Sequence, residues 1–265
     1  MKHMRVKLWQ DSDERPYLDT YILEGKQRPL VLVLPGGGYG FTSEREAEPI
    51  AMQFNAAGFH AAVLHYSVHP VQHPMPLRDA AKAMCLLRQQ AEEWNIAVAK
   101  IAVCGFSAGG HLAASLGVHG DKPYVTEASG VSFPENRPDA LVLCYPVISS
   151  GIHGHQGSFQ NLLGADASGE LRQELSLEHH VTDTTPPTFL WHTGDDAAVP
   201  VENSLLFVEG LRKHGVPFEL HVYPHGPHGF SLATTETDSG EMGSDPHVAT
   251  WMALCVQWLS SVFAG

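Results

Sequence analysis

One stretch restricts what this chain can fold into more than any other. Ile101-Ala102-Val103-Cys104 is a short apolar run. It passes directly into Gly105-Phe106-Ser107-Ala108-Gly109-Gly110 and then into His111-Leu112-Ala113-Ala114-Ser115-Leu116, a run of good helix formers. Strand, tight turn and helix in that order put a serine on a strained corner, with its hydroxyl pushed out above a sheet. Gly105 and Gly109 have no side chains, so strand and helix can close around the corner. The helix directs its free N–H groups and its positive end at whatever lies over Ser107. The Gly-x-Ser-x-Gly pattern alone arises by chance in about one chain of this length in ten. The strand before it and the helix after it give it weight against the plainer reading, a glycine-rich loop that only packs a helix on a sheet.

The rest of the chain keeps an α/β rhythm. Residues 5–10 and 17–24 alternate polar and apolar, as two opening strands at a sheet edge would. Leu30-Val31-Leu32-Val33-Leu34 is continuously aliphatic, which suits a strand buried on both faces, and it ends in Pro35-Gly36-Gly37-Gly38-Tyr39-Gly40. Ser43 followed three residues later by Glu46 reads as a capping box that opens a helix to about Ala57, with Gly58 as its stop. Phe59 to Leu64 is the next strand, residues 65–76 a Pro- and His-rich loop, and Leu77 to Trp94 a helix by its spacing of three and four. After the Ser107 turn come a buried strand at 140–144, an irregular insert at 147–186 with a short helix near Ser168 to Leu175, and a strand at 188–192. A helix over Pro200 to His214, a last strand over Pro217 to Tyr223 and a closing helix over Pro246 to Phe263 complete the series. Residues 234–245 are polar and read as a mobile loop. This predicts one domain over residues 1–265, with a mostly parallel sheet, right-handed crossovers and helices on both faces.

Composition narrows the partners. With 29 acidic against 16 basic residues the net charge is −13, a field that repels nucleic acid and anionic membranes and favours small neutral ligands. Cys85, Cys104, Cys144 and Cys255 form neither a disulfide framework nor a zinc pattern, and no apolar run reaches about 18 residues. These features, with no hydrophobic leader at the N-terminus, give a cytoplasmic protein as the expectation. A homo-oligomer is compatible with the sequence. No metal or cofactor is expected.

Ser107, an acid and a histidine each follow a strand, in the chain order serine, acid, histidine. Ends of parallel strands converge on one sheet edge, so the three can meet there. Ser107 needs a base, because a free hydroxyl is a poor nucleophile at neutral pH. His228, in the Gly/Pro loop after the last strand, fits that role, with His225 as its rival. Asp195 or Asp196 is placed to orient the ring, although either could instead serve a turn or a helix cap. The N–H groups of Gly37, Gly38 and Ala108 would form an oxyanion hole.

Four segments, Pro35-Gly-Gly-Gly-Tyr39, Gly105-Phe-Ser-Ala-Gly-Gly-His-Leu112, His192-Thr-Gly-Asp-Asp-Ala-Ala-Val-Pro200 and Gly226-Pro-His-Gly-Phe230, together resemble small bacterial serine esterases of the α/β-hydrolase fold. These are the acetyl-esterase and acetyl-xylan-esterase-like group, related to the hormone-sensitive-lipase and dienelactone-hydrolase branches. The resemblance covers about residues 29 to 260. It implies Ser107, Asp196 and His228 as a catalytic triad and hydrolysis of short, acetyl-like esters, including esters on sugar hydroxyls. Pro35 stands where the lipase-like relatives have histidine, and their large N-terminal cap has no counterpart before Leu30. The insert at 147–186 and the loops at 65–76 and 230–245 would then cover an open pocket. Other readings are a peptidase or amidase on the same three residues, a non-catalytic binding protein on the same fold, and a zinc protein using His153, His155, His179 and His180. The last lacks any supporting cysteine or carboxylate spacing.

Overall fold

The computed structural model describes residues 1–9, 16–240 and 242–264. Among the described residues the strands are β1 (Lys2–Lys7), β2 (Tyr17–Ile22), β3 (Arg28–Leu34), β4 (His60–His65), β5 (Ile96–Phe106), β6 (Ala140–Cys144), β7 (Thr188–Thr193) and β8 (Phe218–Tyr223). They form one sheet in the order β1-β2-β4-β3-β5-β6-β7-β8. β1 pairs antiparallel with β2, and β2 antiparallel with β4; all pairings from β4 to β8 are parallel. The expected opening hairpin is therefore present at one edge, and residue 10 of that expectation lies outside the described residues.

The helices are α1 (Glu48–Ala56), α2 (Met75–Gln89), α3 (Ala108–His119), α4 (Pro123–Ser129), α5 (Gln156–Leu163), α6 (Gly169–Glu174), α7 (Glu202–Lys213) and α8 (Thr250–Val262). Side chains alternate across the pleat, so one strand feeds two cores. Leu30, Leu32 and Leu34 of β3 belong to the core that α2, α3 and α7 cover, while Val31 and Val33 belong to the core that α1 and α8 cover. All five are fully buried. This explains the unbroken aliphatic run, and truncating one such leucine to alanine costs about 2–5 kcal/mol.

Strand order fixes where a site can form. From β3 the chain crosses by α1 to β4 on one side; from β4 it crosses by α2 to β5 on the other side of β3. The connections at the C-terminal ends of β3 and β5 leave in opposite directions, and such a reversal opens a crevice there.

Several local expectations change. Ser43 and Glu46 do not form a capping box: residues 44–46 are a single 3-10 turn, Ser43 makes no side-chain cap, and α1 begins only at Glu48. The Glu46 side chain is drawn into the interior by stronger partners, described below. α2 starts at Met75, with Pro76 in its first turn, where a fixed φ suits a helix start. The 147–186 insert holds the expected short helix as α6, capped by the Ser168 side chain on the Leu171 N–H at 3.2 Å. It also contains α5, capped by the His155 ring on the Ser158 N–H. Histidine is an unusual cap, so the sequence pattern did not announce that helix. The loop at 234–245 is tied down rather than loose. Arg45 donates to the Thr237 carbonyl at 2.6 Å, Asp245 N–H to Ala233 at 2.9 Å, and Asp238 accepts from Gly240 and Gly243. Residue 241 of that loop lies outside the described residues.

Candidate active site

Ser107 sits between the last residue of β5 and the first of α3 with φ 52° and ψ −117°. A non-glycine residue held there is strained by about 1–3 kcal/mol, and its surroundings must over-determine it. They do so through backbone bonds: Ser107 N–H donates to the Cys144 carbonyl at 3.0 Å, and the Ser107 carbonyl accepts from Val147 at 3.0 Å and His111 at 3.1 Å. The flanking glycines are required by space. A Cβ on Gly105 would lie 2.2 Å from the Gly109 carbonyl oxygen, and one on Gly109 would lie 2.1 Å from that of Leu34.

The C-terminal ends of β5, β7 and β8 bring three side chains into series. Ser107 Oγ lies 2.8 Å from His228 Nε2, and His228 Nδ1 lies 2.7 Å from Asp196 Oδ2. An ionised carboxylate only accepts, so Nδ1 carries the proton and Nε2 is left to accept from the serine hydroxyl. Asp196 Oδ1 accepts the N–H groups of Ala198 at 3.0 Å and Val199 at 2.9 Å. The buried ring of His192 stands 3.4 Å from Oδ2 and is itself fixed between Ser204 Oγ and the Val199 carbonyl. Burial alone would raise the Asp196 pKa. Hydrogen bonds from His192 and His228, the charge of His228 and the Val199 N–H outweigh it and hold the carboxyl well below the usual range.

The rival residues form a separate pair. Asp195 Oδ2 lies 2.9 Å from His225 Nδ1, and Asp195 Oδ1 accepts the Gly226 N–H at 2.9 Å. Among the described residues neither hydrogen-bonds to Ser107, whose hydroxyl pairs with His228.

The glycine loop after β3 lies against the serine. Gly37 has φ +125°, and a Cβ there would lie 2.2 Å from the Phe41 carbonyl oxygen, so no other residue fits. Among the described residues, the Gly37 and Gly38 N–H groups donate to no backbone carbonyl. Ala108 opens α3, where a helix leaves its N–H free. The loop is held by Asn161 of α5, which donates to the Gly38 carbonyl at 2.9 Å. Tyr39 Oη donates to His111 Nδ1 at 2.8 Å, and His111 Nε2 donates to the Leu175 carbonyl at 2.9 Å. Burial lowers the His111 pKa to about 4, so the ring stays neutral and carries both bonds.

Gly37, Gly38, Ser107 and His228 line a cavity of about 370 Å³ with Phe41 and Met242 at its apolar wall. His155 of the insert also lines it. Ser158 N–H donates to His155 Nδ1 at 3.2 Å, which places the ring proton on Nε2, and burial lowers the ring's pKa. A second cavity of about 290 Å³ lies beyond α3 around His119, His179 and His180, but its lining hydroxyls, those of Thr182 and Thr184, bond to each other. Among the described residues no group of three or more His, Cys, Asp or Glu side chains could hold a metal ion, so His153, His155, His179 and His180 do not gather into a zinc site.

Sequence reading missed Glu46, Arg45 and Tyr145. Glu46 accepts from the Gly36 N–H at 2.8 Å and from Tyr145 Oη at 2.6 Å. Arg45 donates to the carbonyls of Gly229 and Thr237, each at 2.6 Å. Tyr145 follows β6 with φ 37°, and its ring meets that of His228 edge-on at 5.2 Å. A bulky residue held in that conformation is a signal visible only in coordinates.

Known proteins similar to this chain agree with the architecture. A crystal structure of an acetyl ester-xyloside bifunctional hydrolase from Caldicellulosiruptor lactoaceticus has 43% sequence identity and a TM-score of 0.86, covering 98% of this chain and 96% of that one. A carboxylesterase from Lactobacillus plantarum has 27% identity and a TM-score of 0.85, covering 98% of each chain. Endo-1,4-beta-xylanase B of Butyrivibrio fibrisolvens is 38% identical over 263 residues, spanning 92% of this chain. An acetylxylan esterase of Xylanibacter ruminicola is 28% identical over 84% of this chain. The chain spans less than half the length of these two relatives, 40% and 45% respectively. The fold is that of the α/β-hydrolases, as the resemblance implied. The BD-FAE family model matches residues 18–211, and the chain belongs to that family.

Proposed function

We propose that this chain is a serine esterase that removes short acyl groups, acetyl foremost, from alcohols that include sugar hydroxyls. One observation carries the reading: the hydroxyl of a serine on a strained corner, an imidazole and a buried carboxylate are hydrogen-bonded in series, with the serine, the imidazole and the glycine loop lining one cavity and the carboxylate behind the ring. Ser107 Oγ attacks the ester carbonyl as His228 Nε2 takes its proton. Asp196 keeps the ring in the required tautomer and stabilises the imidazolium. The N–H groups of Gly37, Gly38 and Ala108 receive the negative charge that forms on the carbonyl oxygen. His228 returns the proton to the leaving alcohol, then activates the water that releases the acid from Ser107.

The modest cavity and the single apolar wall of Phe41 and Met242 support a short acyl group. The acetyl ester named for the Caldicellulosiruptor enzyme and the acetylxylan named for the Xylanibacter enzyme support the acetylated sugar. The continuous sheet supports one domain over residues 1–265. Four free, buried thiols suit a reducing compartment such as the cytoplasm.

The test is a rate profile over p-nitrophenyl esters of rising chain length, with acetylated xylo-oligosaccharides and p-nitroanilides alongside. Acetate is expected to be the best ester, anilides to be inert, and Ser107→Ala to lose about 10⁴-fold or more while still folding. Turnover undiminished in Ser107→Ala would remove the serine from the reaction.

A further inference from the structure

The residue pattern Ser43-Glu44-Arg45-Glu46 reads as a helix cap and is not one, so Glu46 is free for another task. Its side chain is buried, with the residue 3% exposed, an expensive place for a carboxyl group unless it is paired. Both oxygens are used. Oε2 accepts the N–H of Gly36, the residue before the two glycines assigned to the oxyanion, and a Cβ on Gly36 would lie 2.7 Å from that oxygen. Oε1 accepts from Tyr145 Oη at 2.6 Å. The direction of that bond is fixed, because Tyr145 Oη accepts the Ser231 N–H at 2.9 Å and its one proton is left for Glu46. A carboxyl that accepts at both oxygens needs no proton of its own.

The Tyr145 ring touches the imidazole of His228, and Ser231 lies three residues beyond that imidazole. Arg45, the neighbour of Glu46, holds the same loop through Gly229, while Ser231 Oγ donates to the Arg45 carbonyl at 2.6 Å. One buried side chain therefore connects the loop that would bind the oxyanion to the loop that carries the base.

We propose that Glu46 is a positioning residue for the reaction: through Gly36 and Tyr145 it sets the oxyanion loop and the His228 ring against each other, and its negative charge favours the imidazolium that forms when Ser107 is acylated. The inference rests on the esterase reading above. The groups that face Glu46 are Tyr145 from the end of β6, the Gly36 N–H from the end of β3, His228 from the loop after β8, and Arg45 beside it. Burial raises the Glu46 pKa; the two hydrogen bonds and the charges of His228 and Arg45 act against that.

The experiment compares wild type with Glu46→Gln, Tyr145→Phe and, as a control, Asp79→Asn. Asp79 is also a buried carboxyl bonded to a backbone N–H, that of Ser67 at 2.9 Å, but it belongs to α2 and takes no part in the site. A glutamine cannot accept from both Gly36 and Tyr145, since one end of its amide only donates. With p-nitrophenyl acetate, Glu46→Gln is expected to lower kcat about 10- to 100-fold with KM within about threefold. The acid limb of its kcat/KM profile should move to lower pH, because a charge that favours the protonated imidazole is gone. Tyr145→Phe should lose a comparable factor, and the double variant no more than the worse single one, as members of one network do. Asp79→Asn should melt lower without changing kcat. Folded Glu46→Gln with wild-type kcat, or with reduced kcat and an unmoved acid limb, overturns the proposal. If Glu46→Gln does not fold, Tyr145→Phe decides, and wild-type kcat there overturns it equally. A wild type that neither hydrolyses p-nitrophenyl acetate nor is labelled at Ser107 by a fluorophosphonate would remove the esterase reading as well. An active wild type with indifferent variants removes this inference alone.

Discussion

Two carboxylate–imidazole pairs stand side by side in this molecule, built from the same two loops. Asp195 meets His225 at 2.9 Å and Asp196 meets His228 at 2.7 Å. Residue types and bond lengths hardly separate them; the surroundings do. The side chains of Asp195 and His225 are 52% and 84% exposed, whereas those of Asp196 and His228 are 0% and 22% exposed. The outer pair is screened by water and holds only a loop, since the second Asp195 oxygen accepts the Gly226 N–H. The inner pair works in a poorly screened interior, where Asp196 takes further bonds from Ala198 and Val199 and the imidazole has Ser107 on its far side. On the function proposed above, the difference teaches that a carboxylate and a histidine serve as a catalytic unit where burial makes their charges felt and a third group uses the free ring nitrogen.

The largest effects should divide the two pairs. His228→Ala is expected to lose ester hydrolysis by about 10⁴-fold or more, and His225→Ala to stay within about twofold. Asp196→Asn should lose about 10³- to 10⁴-fold through the wrong tautomer, with Asp195→Asn within about threefold. Steady-state rates on p-nitrophenyl acetate measure all four. A greater loss in the Asp195 variant would exchange the roles of the two pairs.

The contrast of buried with exposed rings also predicts a pH response. Burial lowers the pKa of His73, His111 and His119 to about 4. Between their unfolded value of about 6.5 and that folded value, the unfolded chain binds protons that the fold refuses. Their contribution to stability is thus complete at pH 7 and is lost as pH falls from about 6.5 to 4, at up to about 1.4 kcal/mol per unit and site. Glu46 and Asp79, raised by burial, act in the opposite sense over whatever part of that window they titrate in. The urea midpoint should fall between pH 7 and pH 5; a flat midpoint would mean that the three rings do not outweigh the two carboxyls.

The smallest expected effect concerns the cavity wall. His155→Leu removes an Nε2–H donor that makes no hydrogen bond within the described residues, together with the cap on α5. KM for an acetylated sugar should rise about three- to tenfold while kcat for p-nitrophenyl acetate stays within about threefold. Equal loss on both substrates would make His155 a support of the α5 cap and nothing more.

Much of this was legible in advance, for local reasons. The run from Leu30 to Leu34 suited a strand buried on both faces, and Gly105, Ser107 and Gly109 between strand and helix suited a tight corner better than a plain glycine-rich loop. Spacing placed α7 and α8 to within a few residues at their starts and ends. Capping was less legible, because it depends on what else a side chain can reach. Ser43 and Glu46 had the spacing of a box, yet Gly36 and Tyr145 offered the carboxylate buried donors that a solvent-exposed helix start cannot match. α5 was missed because its cap is a histidine.

By itself the sequence determined the order of the strands, the two-sided burial of the central ones and the corner that carries Ser107, since periodicity, side-chain volume and backbone freedom are properties of neighbouring residues. The family resemblance pointed to Asp196 and His228 over Asp195 and His225, but the contacts themselves, and the place of Glu46 under both loops, are made by the tertiary structure. Those contacts join residues 32, 121 and 99 positions apart for Asp196–His228, Ser107–His228 and Glu46–Tyr145. Separations of that size are closed by the order in which strands enter the sheet, and which of two adjacent side chains turns inward is settled by the room and the donors it finds there.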